Sequence, residues 1–181
     1  MTTAAPLAGT YAADTTHSSF QFGLTFMKTS TYRAAFDDAG ASLAVTDDGM
    51  QLEGAARVAS VTISEPRFRE HLVRGADFFD ADNHPEIVFR STSVEVDANG
   101  ATTVAGELSM RGVTKPVTAT GSCEGPVEDP FGHTRISLQL TAVIDRRDWG
   151  LDWQAPLPKG GEMLGWDVEL TIALSLVRDE G

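Results

Sequence analysis

The stretch GELSMRGVTKPVTATG, residues 106–121, decides the fold because it alternates apolar and polar residues on both sides of a short turn. Apolar or small residues recur at every second position, namely Gly106, Leu108 and Met110 before the turn and Val117, Ala119 and Gly121 after it. This period is typical of two strands that each bury one face. Gly112 supplies the backbone freedom of a turn, and Pro116 limits where the second ladder begins. The stretch therefore predicts an antiparallel hairpin.

The same alternation recurs in SFQFGLTF, RISLQLTAVID and WDVELTIALSLV. It predicts buried faces formed by Phe20, Phe22, Leu24 and Phe26, by Ile136, Leu138, Leu140, Ala142 and Ile144, and by Trp166, Val168, Leu170, Ile172, Leu174 and Leu176. Eight or nine such strands, many of them long and joined by short turns, favour an all-β protein. An extended antiparallel up-and-down barrel is the preferred architecture, and a sandwich is its rival.

The dipeptide Asn99-Gly100 predicts a second hairpin, because both residues suit the positive φ angles of a two-residue type I′ turn. That turn would pair Ala98 with Ala101 and place Phe89 opposite Met110. It would also turn polar residues, including a serine at position 91, toward the apolar face. Two alternatives follow: a bulge near residues 90–93 changes the parity of the strand, or one end of this face is polar.

One segment, SEPRFREHLVRGADFF, predicts a short helix. Ser64 is the expected N-cap, Pro66 lies in the first turn and Gly75 ends the helix. Phe68, Leu72 and Val73 are expected to face the sheet. We predict one domain over residues 9–178, preceded by a flexible terminus over residues 1–8.

The composition excludes several partners. With 26 acidic against 14 basic residues the formal net charge of the 181-residue chain is −12, which argues against binding to nucleic acid or to anionic membrane surfaces. No apolar run approaches the ~18 residues of a membrane span, so stable membrane insertion is not expected. The single cysteine, Cys123, allows no internal disulfide and is expected to be a small buried residue.

The first residues, MTTAAPLAGTYAAD, have no charged n-region and no long apolar core. We therefore expect a cytoplasmic protein, or a periplasmic or secreted one if a signal peptide was removed.

No catalytic or metal site is predicted. The four histidines form no i, i+4 pair, and there is no Cys-x-x-Cys motif. His84 and Glu86 share one side of a strand, and His17 lies beside Ser18, but both patterns are more typical of strand ends. The many carboxylates are expected to be a solvated surface, and no cofactor is expected apart from a bound lipid.

Three basic residues are candidates for holding a polar head group. Arg147, in DRRDWGLDW, either contacts an anionic group or pairs with Asp145 or Asp148, and the ion pair is favoured. Arg111 and Lys115 flank the turn of the first hairpin. They would act as a clamp only if they pointed into the mouth of a barrel, whereas turn charges usually point to water.

Several ordered motifs resemble the YceI-like family. The stretches are GTYAADTTHSSFQFGLTF, LVRGADFFDADNHPEIVFRSTSV, GELSMRGVTKPV and DRRDWGL, with Trp149 where the family usually has Phe. The resemblance covers nearly the whole chain and implies a lipocalin-like barrel of about eight strands with one short helix. It also implies an apolar tunnel for a long isoprenoid or other amphiphilic chain, a polyprenyl or quinone-like lipid, and a homodimer.

The leading hypothesis is thus a non-enzymatic lipid carrier. The residues expected to line its tunnel are Phe20, Phe22, Leu24, Phe26, Phe36, Phe89, Leu108, Met110, Leu138, Leu140, Ile144, Trp166, Val168 and Leu170. The alternatives are a stress-related structural barrel with a filled core and, less favoured, a hydrolase acting on an amphiphile through His17 or His84. Small residues within the strand patterns discriminate between the lipid carrier and the barrel with a filled core, because several on one inner face would leave room for a ligand. They are Gly23, Gly54, Ala56, Gly106, Ala119, Gly121 and Ala142.

Overall fold

The computed structural model describes residues 5–181. It contains ten strands, β1 (Gly9–Ala13), β2 (Ser19–Phe26), β3 (Ser30–Ala35), β4 (Ala39–Thr46), β5 (Gly49–Arg57), β6 (Glu86–Val96), β7 (Ala101–Met110), β8 (Val113–Glu128), β9 (Thr134–Asp145) and β10 (Leu164–Arg178). The helix α1 spans Pro66–Arg74, and two short 3₁₀ turns span Val58–Ser60 and Arg146–Trp149. Of the terminus predicted over residues 1–8, the first four lie outside the described residues. The carbonyls of Leu7 and Ala8 accept hydrogen bonds from Tyr11 and Arg178.

The strands close into an antiparallel barrel. Each strand from β4 to β9 pairs with the next one along the chain, and β10 also pairs with both β1 and β2. Because β1 and β2 both pair with β10 at different levels, together they form one interrupted strand of the barrel. Their neighbours β4 and β3 likewise form the next one. The ten strands therefore make the eight staves of a closed barrel, which confirms the predicted fold class.

The hairpin predicted from residues 106–121 is confirmed. Met110 pairs with Val113, and the two residues between them, Arg111 and Gly112, have φ angles of 52° and 72°. These are the positive values of a tight turn that matches the twist of the flanking strands.

The register predicted for the β6–β7 hairpin is wrong. Val96 pairs with Thr102, because the Asp97 carboxylate accepts hydrogen bonds from the backbone N–H groups of Asn99 and Ala101 and organises a longer loop. The longer loop shifts the pairing by one residue and the irregularity between Ser91 and Ser93 shifts it by another, so Phe89 lies opposite Leu108 rather than Met110.

The bulge alternative for β6 is confirmed, since the ladder shifts between Ser91 and Ser93. The bulge restores apolar residues to the inner face beyond this point, where the next inward pair is Val94 and Val104. The buried Ser91 hydroxyl accepts a hydrogen bond from the Leu52 N–H at 2.8 Å. A polar side chain at the bulge is thereby satisfied inside the barrel.

The helix begins, and its N-cap lies, one residue later in the chain than predicted. Glu65, not Ser64, is the N-cap, and its carboxylate accepts a hydrogen bond from the Phe68 N–H at 2.5 Å. Gly75 ends the helix as predicted, by donating its N–H to the His71 carbonyl at 2.7 Å. Leu72 and Val73 are buried beneath the helix, and Phe68 is half-buried. The apolar face of α1 therefore covers one end of the barrel.

The interior has two halves. The closed half is a packed cluster to which each stave of the barrel contributes, formed by Tyr11, Leu43, Leu52, Val94, Val104, Cys123, Ile136, Leu138, Leu140, Leu174 and Leu176. Burial raises the pKa of the Cys123 thiol, in agreement with the small buried residue predicted there. The open half lies toward α1 and contains two smaller clusters, around Val58, Val61, Leu72 and Phe78 and around Leu108, Ile144, Trp149 and Val168.

Candidate functional site

A cavity of about 670 Å³ occupies the open half. This volume lies within the ~300–1,000 Å³ typical of pockets for small organic ligands. Its floor is the upper layer of the closed half, where Leu52, Val104, Leu140 and Leu174 border it. The cavity therefore begins where the packed cluster ends.

Twelve of the fourteen residues predicted to line a tunnel border this cavity, namely Phe20, Phe22, Leu24, Phe26, Phe36, Phe89, Leu108, Met110, Leu140, Ile144, Val168 and Leu170. They come from β2, β6, β7, β9 and β10 and from the turn after β3. Strand alternation brings them together because the inward faces of neighbouring strands meet inside a closed barrel.

Leu138 and Trp166 do not line the cavity. Leu138 points inward as predicted, but it is fully buried in the closed half, beneath the floor. At Trp166 the ladder to β2 is irregular, because Leu164 pairs with Phe26 whereas Val168 pairs with Leu24. The extra residues of β10 carry the Trp166 ring out of the cavity, and it lies against Arg146 and Arg147.

Small residues create the free volume. Gly54, Ala56, Ala119 and Ala142 all border the cavity. Gly106 and Gly121 instead allow close packing. A Cβ at position 106 would lie 2.5 Å from the Phe89 ring, and a Cβ at position 121 would lie 1.7 Å from the Gln139 carbonyl oxygen. Several of the small residues thus lie on one inner face, the arrangement expected of a barrel with room for a ligand.

Aromatic side chains form the roof. Phe78 stacks on Trp153 with ring centroids 5.3 Å apart, and Phe36 meets Phe79 edge-on at 6.3 Å. The sequence patterns missed most of the roof, whose cavity-lining members are Phe68, Leu72, Phe78, Phe79, Leu151, Trp153 and Met163. These residues lie on α1 or in loops, where no strand period marks an inward side chain; the apolar face of α1 and the pair Phe78-Phe79 were the available signals.

Arg146 is the buried cation of the site, and it is only 4% exposed. It follows β9 in the 3₁₀ turn and borders the cavity. Its Nε donates to the Gly165 carbonyl at 2.9 Å, and its Nη1 donates to the Leu151 and Trp153 carbonyls at 2.5 and 2.9 Å. A longer bond of 3.4 Å reaches the Leu164 carbonyl.

These bonds make Arg146 the anchor of the loop between β9 and β10. Within residues 5–181 all four hydrogen bonds of the guanidinium go to backbone carbonyls, two in the loop and two at the start of β10, so backbone carbonyls rather than a carboxylate satisfy it. Burial lowers the pKa of Arg146, and its guanidinium lies 4.3 Å from the centroid of the Trp166 ring, a cation–π contact. Arg146 thereby positions Leu151 and Trp153 against the cavity.

Arg147, the residue proposed from the sequence, lies outside the cavity. Its guanidinium forms a bidentate pair with Asp145, with contacts of 2.9 and 2.5 Å. The pair lowers the pKa of Asp145 to about 2. The favoured ion-pair alternative is therefore what the structure shows, and its partner is Asp145.

The clamp proposed for Arg111 and Lys115 is not formed. The Arg111 guanidinium donates to the carbonyls of Ala76 and Gly150, and it thus ties the β7–β8 hairpin to the segments after α1 and β9. Lys115 is exposed, and neither residue borders the cavity.

The histidines contribute no site chemistry in the described structure. His17 pairs with Asp14 at 2.8 Å, and His84 lies against Gly112. Neither borders the cavity. Within residues 5–181 no group of at least three His, Cys, Asp or Glu side chains is placed to hold a metal ion. None of the helices described over the same residues has the length and apolar character needed to cross a bilayer.

Comparison with known proteins agrees with this architecture. The model of the YceI-like domain matches residues 11–176. A UPF0312 protein of Pseudomonas putida is 36% identical over 83 residues, which is 46% of this chain and 43% of that protein. The chain thus matches less than half the length of this relative.

Two solved structures share the fold. The crystal structure of BcnA from Burkholderia cenocepacia has a TM-score of 0.75 at 18% identity and covers 92% of this chain and 99% of its own. A polyisoprenoid binding domain from Saccharophagus degradans, implicated in plant cell wall breakdown, has a TM-score of 0.67 at 14% identity and covers 93% and 98%.

Proposed function

Because the chain belongs to the YceI-like family, whose domain model matches residues 11–176, we propose that it binds a long isoprenoid or another amphiphilic lipid and carries it chemically unchanged. The observation that carries this proposal is the cavity of about 670 Å³ walled by apolar side chains. A polyprenyl or quinone-like tail matches these walls. The polyisoprenoid binding domain from Saccharophagus degradans, which has the same fold, supports the same class of ligand.

The hydrophobic effect would supply most of the affinity. Each CH₂ group removed from water contributes about 0.8 kcal/mol, so a long tail outweighs the cost of ordering it. Of the polar residues that border the cavity, Gln21, Glu53, Glu65 and Thr141 are exposed. The buried Arg146 already donates to backbone carbonyls. A ligand held in this way is recognised by its chain, and its polar group lies at the cavity's edge.

The two alternatives have less support. A filled structural core does not fit an interior with this free volume. A hydrolase using His17 or His84 would need one of these side chains beside the bound chain, and neither borders the cavity.

The direct test is to identify what the purified protein holds. Native mass spectrometry followed by solvent extraction should reveal a co-purified lipid, and geranylgeraniol or a ubiquinone should displace the fluorescent probe N-phenyl-1-naphthylamine from the delipidated protein. A protein that retains no lipid and whose probe no long-chain compound displaces would contradict the proposal.

A matched pair of variants ties binding to the cavity. Ala142→Leu places a larger side chain in the cavity, so the affinity for geranylgeraniol should fall about tenfold, the equivalent of one or two lost CH₂ contacts. Ala105→Leu makes the same change between the inward residues Val104 and Gly106, on the outer face of β7, and should leave affinity unchanged. Equal affinity in both variants would place the ligand elsewhere.

A further inference from the structure

The barrel wall has a gap where two neighbouring staves are interrupted at the same level. The β1–β4 ladder ends with Ala12 opposite Ser42, and the β2–β3 ladder resumes with Gln21 opposite Ala35. Between them, in the described structure, no ladder joins residues 13–19 to residues 37–41. The corner from β1 to β2 and the corner from β3 to β4 thus leave a side window.

A recess of about 100 Å³ fills this window. Phe20 and Phe36 line both the recess and the main cavity, and the Phe36 N–H donates to the Phe20 carbonyl at 3.0 Å. These two aromatic side chains therefore stand between a small recess on the outside and the apolar cavity on the inside.

The outer side of the recess is polar and carries a carboxylate. Thr15, Ser19 and Asp37 all line it. The backbone N–H of Asp37 donates a hydrogen bond to the Ser60 carbonyl at 3.2 Å. Within residues 5–181 the Asp37 carboxylate has no hydrogen-bond or ion-pair partner. The neighbouring Asp38, by contrast, pairs with Arg57 at 3.3 Å.

We propose that this recess holds the polar head group of the bound lipid, that the group is a hydrogen-bond donor, a hydroxyl or an amine, and that the chain enters the cavity past the side chains of Phe20 and Phe36. The proposal rests on the lipid-binding function proposed above. An ionised carboxylate only accepts hydrogen bonds, whereas the two hydroxyls both donate and accept. A phosphate would be repelled by Asp37 in a chain whose net charge is −12.

The test compares head groups on one chain. Geranylgeraniol, geranylgeranylamine, geranylgeranyl acetate and geranylgeranyl phosphate are titrated against N-phenyl-1-naphthylamine in the wild-type protein. The alcohol and the amine should bind about tenfold more tightly than the acetate, since a hydrogen bond to a charged group is worth roughly that factor, and the phosphate should bind most weakly.

Two variants test whether Asp37 is the residue that distinguishes the head groups. Asp37→Asn removes the charge from an exposed side chain and should lower the affinity for the amine about tenfold, with little change for the acetate. Asp38→Asn makes the same change one residue away, at a carboxylate occupied by Arg57, and should leave all four affinities unchanged.

The outcomes separate the two proposals. If all four compounds bind equally, or if Asp37→Asn and Asp38→Asn behave alike, the head-group assignment is overturned and lipid binding stands. If none of the compounds displaces the probe, lipid binding itself fails and the head-group assignment fails with it.

Discussion

The two halves of the barrel follow the same strand pattern but have different interiors. In the closed half, large aliphatic residues such as Leu43, Leu138 and Leu174 meet at the axis and are almost completely buried. In the open half, several inward positions carry glycine or alanine, and the aromatic rings lie against the walls of a cavity. The difference teaches that side-chain volume at inward positions, rather than the backbone, decides whether this barrel is a solid core or a container.

The largest effect should come from removing a leucine from each half. Leu138→Ala creates a void in the packed cluster and should lower the free energy of unfolding by about 2–5 kcal/mol. Leu170→Ala should cost about 1 kcal/mol, because one side of Leu170 already faces the cavity and less apolar area is returned to water. Urea unfolding measures both. Equal losses would mean that the open half is packed as tightly as the closed half.

A second test asks what holds the roof of the open half in place. Arg146→Met removes the donor to the Leu151 and Trp153 carbonyls of the β9–β10 loop and to the Gly165 carbonyl of β10, which should cost about 2–3 kcal/mol of unfolding free energy and loosen Trp153.

Arg147→Met is the matched control for this test. It breaks an ion pair whose arginine is half-exposed, so its cost should stay below about 1 kcal/mol. Urea unfolding and the fluorescence of the tryptophans report the two effects. A similar small loss for both variants would show that the loop holds its position without Arg146.

How far the sequence could predict this site depends on where each residue lies. Phe22 and Val168 were predictable because strand alternation fixes which side chains point inward. The sequence could not say whether Arg146 or Arg147 turns inward, because a 3₁₀ turn begins at that point and Asp145 accepts the N–H of Arg147. The roof residues Phe78 and Trp153 come from loops, whose path depends on tertiary packing rather than on a period.

The closed half also has a network of charged side chains, centred on Arg135. Arg135 joins the corner after β1 to the β8–β9 hairpin, because it donates to Asp14 at 3.0 Å and to Asp129 at 2.7 Å. His17 and Arg135 lower the pKa of Asp14 to about 2. Arg135 also holds the pKa of Asp129 far below its usual value of 3.8.

The smallest expected effect is the acid sensitivity of this network. A carboxyl whose pKa is lower in the folded state stabilises the protein above its unfolded pKa of 3.8, and that stabilisation is lost as the pH falls through the folded value of about 2. Arg135→Gln should therefore lower the melting temperature at neutral pH, and its difference from wild type should shrink as the pH falls from about 4 to 2.

Arg147→Gln provides the comparison for this prediction. It removes the ion pair with Asp145, which also lowers a carboxyl pKa to about 2. The Arg147–Asp145 pair joins residues two positions apart in the sequence, whereas Arg135 and Asp14 are 121 positions apart. Joining distant segments restrains the folded chain more than joining neighbours, so the Arg147 variant should shift the melting temperature less at every pH. Calorimetry across this pH range would contradict the argument if the two variants lost stability equally, or if the Arg135 difference were as large at pH 2 as at pH 4.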